Sequence, residues 1–118
     1  LMPSAGIETK LWVWQRASAA VLGLCVIVHL ILIIIAVQGG LSASEIISRV
    51  SGNIAWLIFY SVFVIAVAVH APIGVRTILN EMTGLKTSQT HLVMALLCLV
   101  ILSMGFRTVI GLYNAGGV

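Results

Sequence analysis

Three long stretches of this chain contain no Asp, Glu, Lys or Arg: between Arg16 and Glu45, between Arg49 and Arg76, and between Lys86 and Arg107. Each can supply the ~20 apolar residues a helix needs to cross ~30 Å of hydrocarbon. Barrel strands would need only ~10 residues each and would alternate polar with apolar positions. Leu30 to Val37 is solidly aliphatic instead, so the spans are helical. The pattern predicts an all-α integral membrane protein with three transmembrane helices, near 11–37, 54–79 and 90–113, in one transmembrane domain over residues 1–118. Composition excludes the alternatives. With 61% hydrophobic and 8% charged residues, the chain is far from the ~25% charge of a soluble domain and from the low hydrophobicity of a disordered one. Its net charge of +3 comes from six scattered cations, without the basic run of a nucleic-acid binder.

The connections carry their own signals. Gln38-Gly39-Gly40 stops the first span. Ser42 to Ser48 reads as a short interfacial helix, with Ser42 as cap and Glu45 at the capping-box position. Thr83-Gly84 ends the second span, and Thr87-Ser88 precedes the third. Met2 to Thr9 lacks the apolar core of a cleavable signal, and the first span is too long for one. Lys10, Arg16, Arg76 and Lys86 fall on one side of the membrane, Arg49 and Arg107 on the other. That bias predicts a cytoplasmic N-terminus and an external C-terminus, as in a bacterial inner membrane. Cys25 and Cys98 lie inside spans and read as small packing residues. No Cys-x-x-Cys-His segment is present for covalent haem attachment.

Two histidines, His29 and His70, fall deep in the first two spans. An ionisable residue there is costly and points to function, although a neutral imidazole can also serve as interhelical hydrogen-bonding glue. Ala66 and Gly74 lie one turn either side of His70 on its own face. Such small neighbours leave room for a planar macrocycle bound through its metal, so haem ligation is the sharper reading for His70. Counting ~1.5 Å per residue puts His29 and His70 at different depths. They cannot share one iron, and each needs a partner from elsewhere. His91, at the start of the third span, reads as an interfacial residue.

The segment His70-Ala71-Pro72-Ile73-Gly74-Val75-Arg76, followed by Glu81, resembles the His-x-x-x-Gly-hydrophobic-Arg motif of cytochrome b membrane anchors of the succinate dehydrogenase and fumarate reductase family. Trp14-Gln15-Arg16-Ala17-Ser18 is similar to that family's His-Arg-x-Ser segment. Departures are visible. Gln15 replaces the motif's His, Trp12 stands where a quinone-contacting Ser is usual, Thr77 and Asn80 replace larger residues, and Pro72 interrupts the second span, where it is expected to bend the helix.

The resemblance implies a haem b and a quinone pocket near the cytoplasmic face. It also implies docking of an iron–sulfur subunit, which takes electrons from an FAD subunit, and a second anchor chain, related or identical. His70 would be an axial ligand, Arg16 a quinone contact, Arg76 a quinone or haem-propionate contact, and Ser18 a quinone contact or a polar group supporting one. His29 would either ligate a second haem towards the outer face, with Arg107 reaching its propionate, or simply pack. Such a subunit passes electrons and is not an enzyme by itself. Two other readings stay open: the cytochrome b subunit of a different membrane dehydrogenase, and a non-redox structural or assembly subunit.

Overall fold

The computed structural model describes residues 5–115, and every regular element among them is a helix. In chain order these are α1 (Ala5–Gln38), α2 (Ala43–Val50), α3 (Ile54–Met82) and α4 (Thr87–Asn114). The three long helices are each apolar enough to cross a membrane. The first begins at Ala5, two turns before the apolar run starts at Leu11. Glu8 lies in that first turn, where the unpaired N–H groups of a helix start favour a carboxylate. At ~1.5 Å per residue, the 34 residues of α1 reach about 51 Å. That exceeds the ~30 Å hydrocarbon core, so its polar first turns extend past the membrane interior.

The breaks between helices follow local chemistry. Gly40 adopts a left-handed φ of 64°, and Leu41 N–H donates to the Ala36 carbonyl at 3.0 Å. This closes α1 with a Schellman-type turn. Ser42 and Glu45 cap α2 reciprocally: the Glu45 N–H donates to Ser42 Oγ and the Ser42 N–H to the Glu45 carboxylate, both at 3.3 Å. The turn after α2 is tied to the far end of α4, where Gly52 N–H donates to the Tyr113 carbonyl at 2.8 Å. Asn53 then caps α3 by accepting from Ala55 N–H at 2.9 Å.

The central helix is α3, which packs against both α1 and α4; α1 and α4 form no comparable interface with each other. Small residues permit the close approach. Ala66 and Ala68 are buried in α3, and a Cβ placed on Gly105 would lie only 2.5 Å from Val64 Cγ1. The helix continues unbroken through the fully buried Pro72, even though Pro leaves the Ala68 carbonyl without its usual i+4 donor. Pro72 and Ala68 sit where all three long helices converge, beside Leu11 and Trp14 of α1 and Met94 and Cys98 of α4.

Candidate functional site

His70 lies a little past the middle of α3, half-buried on the flank that faces α1. Its two small neighbours meet different surroundings. Ala66 lines an apolar groove of ≈ 200 Å³ with Trp14, Ser18 and Val21 of α1. At Gly74 the expected clearance is filled, because Gln15 Nε2 of α1 lies 3.5 Å from where a Cβ would stand. Room beside the imidazole is therefore one-sided and opens towards the membrane interior. His70 Nδ1 is buried without a hydrogen-bond partner. The imidazole does not serve as glue within the chain through that atom.

A largely apolar cleft of ≈ 500 Å³ lies beyond Gly74, between the start of α1 and the end of α3, with Glu8, Gln15, Arg76 and Thr77 as its polar lining residues and Trp12 on one wall. Arg76 is only 3% exposed. Its guanidinium is paired with the Glu8 carboxylate, whose side chain is 48% exposed. Arg76 Nε and Gln15 Oε1 are buried and unpartnered. Arg16 is not among the lining residues. It is exposed and lies over the Trp12 ring, 5.0 Å from its centroid, which puts it at the rim. Ser18 is buried, and its hydroxyl donates to the Gln15 carbonyl at 3.1 Å. The cleft thus gathers the Glu8 carboxylate, the buried Arg76 cation, the Gln15 amide and the Thr77 hydroxyl beside the Trp12 indole.

The remaining predicted residues lie elsewhere. His29 is edge-on to Tyr60 and Phe63 of α3, with ring centroids 5.9 and 5.6 Å away. Phe63 and Tyr60 precede His70 by seven and ten residues, roughly 10–15 Å along the axis. That separation keeps the two imidazoles off a common metal. Arg107 is exposed on α4 and makes no ion pair among the described residues. His91 is half-buried, with Nε2 buried and unpartnered, beside a fully buried Thr90.

Sequence reasoning missed two features. Glu8 escaped because the apolar run starts only at Leu11, although an acid preceding a span by less than one turn is the available signal. The α3 ring cluster of Trp56, Phe59, Tyr60 and Phe63, whose Tyr60 and Phe63 meet His29, was visible as aromatics spaced three and four apart.

Among the described residues, no group of three or more His, Cys, Asp or Glu side chains could hold a metal ion. A haem needs only an axial donor from the protein. His70 fits that need, with a polar atom unused inside the chain and an apolar groove on one side. The family model for the succinate dehydrogenase/fumarate reductase transmembrane subunit matches residues 2–110. No curated protein and no solved structure matches the chain.

Proposed function

The chain belongs to the succinate dehydrogenase/fumarate reductase transmembrane subunit family, and from that premise we propose that it is the haem b-binding anchor of such a complex. In this reading it docks an iron–sulfur subunit, itself served by an FAD subunit, and passes electrons to or from membrane quinone. The observation that carries the reading is His70: an imidazole within the second apolar span, beside an apolar groove at Ala66, in a His-x-x-x-Gly-x-Arg segment. A bound haem would supply one-electron transfer within the bilayer.

The chain's own residues do the rest. His70 would hold the haem through its imidazole, together with a donor from a second anchor chain. Arg76, held by Glu8, keeps a positive group at the cleft, where a propionate or a reduced quinone oxygen is favoured. Arg16 stands at the rim as a planar donor fork for a quinone oxygen, and Trp12 walls the cleft with an apolar face. Ser18 supports Gln15 through its backbone. The cation bias supports placing this end in the cytoplasm. The ring contacts of His29 support packing as its role, which leaves Arg107 without a propionate to reach.

The test is affinity purification of the tagged chain from its own membranes. Co-purifying flavoprotein and iron–sulfur subunits with a reduced-minus-oxidised b-type spectrum are expected; a colourless chain purified without them would contradict the proposal.

A further inference from the structure

Two buried polar atoms without partners lie on facing helices near one another. Gln15 Oε1 on α1 can only accept a hydrogen bond, and His70 Nδ1 on α3 can donate one. The Gln15 amide sits against Gly74, one turn from His70 on the same face, about 6 Å along the axis. No hydrogen bond joins them as the side chains stand, and rotation about the Gln15 side-chain torsions is the movement that would make one. Burial of both groups away from water favours that movement, since an unmade hydrogen bond is costly there.

Another buried donor, Arg76 Nε, lines the same cleft as Gln15. The Arg76 guanidinium is already held by the Glu8 carboxylate at the outer end of the cleft, whereas His70 lies one turn inward of Gly74 and points within ~40° of it. The Gln15 amide stands on the Gly74 side. Ser18 is no competitor for the amide either, because its hydroxyl proton already goes to the Gln15 backbone carbonyl.

We propose that Gln15 is a positioning residue for His70, its side-chain carbonyl accepting from Nδ1–H and so leaving Nε2 as the unprotonated, metal-binding nitrogen. The proposal rests on the reading of His70 as an axial haem ligand. An acceptor on the far nitrogen of a ligating imidazole fixes its tautomer and raises its basicity. A more basic ligand favours the oxidised metal, so this bond lowers the haem potential relative to an unpartnered imidazole.

The experiment uses the assembled complex carrying Gln15→Leu or Gln15→Glu, read by redox titration and by the electron paramagnetic resonance g-values of the oxidised haem. Gln15→Leu is expected to raise the potential and Gln15→Glu to lower it, with g-values moving in opposite directions. A through-space charge alone would move the potential of the Gln15→Glu complex and leave its g-values native. Native g-values in both haem-containing variants would overturn the proposal. Loss of the folded complex in both would make Gln15 a packing residue and overturn it equally. If only Gln15→Leu fails to assemble, the g-values of Gln15→Glu decide, shifted for the proposal and native against it. A His70→Ala complex with an unchanged haem spectrum would instead remove the underlying ligand reading, and the proposal with it.

Discussion

Arg76 lies in the cleft between α1 and α3, almost wholly removed from solvent, and its acceptor among the described residues is Glu8. Removing that acceptor leaves a charged group buried and uncompensated, the expensive outcome for any ion pair. Because the Glu8 side chain is half-exposed, water can enter when it is cut away. Glu8→Ala is therefore expected to destabilise the protein by about 1–3 kcal/mol, less than a fully buried pair would lose. Thermal denaturation in detergent checks this, and Glu8→Ala with Arg76→Ala together should cost less than the sum of the single changes. Arg16 has a different role at the rim. Arg16→Ala is expected to cripple quinone reduction while dye-linked succinate oxidation continues, and Arg16→Lys to restore it only in part, because an ammonium cannot reproduce the planar fork. Equal loss of both activities in the assay pair would identify an assembly defect instead.

Among the helices, the tightest constraint is where α4 crosses α3. A Cβ on Gly105 would meet Val64 Cγ1 at 2.5 Å and Cγ2 at 3.0 Å, and the β-branched side chain has little freedom to yield. Gly105→Ala should lower stability by about 1–3 kcal/mol through overpacking. Val64→Ala in the same chain should recover most of that loss in a thermal melt. The helices and their caps were readable from the sequence, since charge-free runs, Gly40 and the Ser42–Glu45 pair each act through local chemistry. The contacts between helices were not. Nothing within a span says that Gln15 covers Gly74 or that Val64 meets Gly105, because aliphatic faces towards lipid and towards another helix have the same composition. His70 was legible because a polar side chain in lipid is conspicuous; Glu8 was not, because its partner is 68 residues away.

At the scale of the molecule, α3 packs against both other long helices and much of α1 is left uncovered, including Leu24, Ile27, Ile34 and Ile35. Lipid would cover part of that surface, and in the proposed function a second anchor chain would cover another part and add the donor that His29, roughly 10–15 Å away along the axis, does not supply. His29, enclosed by Tyr60 and Phe63, is expected to act in packing: His29→Ala should cost about 1–3 kcal/mol and leave the haem content of the purified complex unchanged. The central claim is ligation by His70. Its most direct measurement is the dithionite-reduced minus oxidised spectrum of the purified complex, with haem quantified per anchor chain, for the native protein and for His70→Ala. The account predicts a b-type α-band in the native complex that is lost or displaced in the variant; an identical band and haem content in both would contradict it.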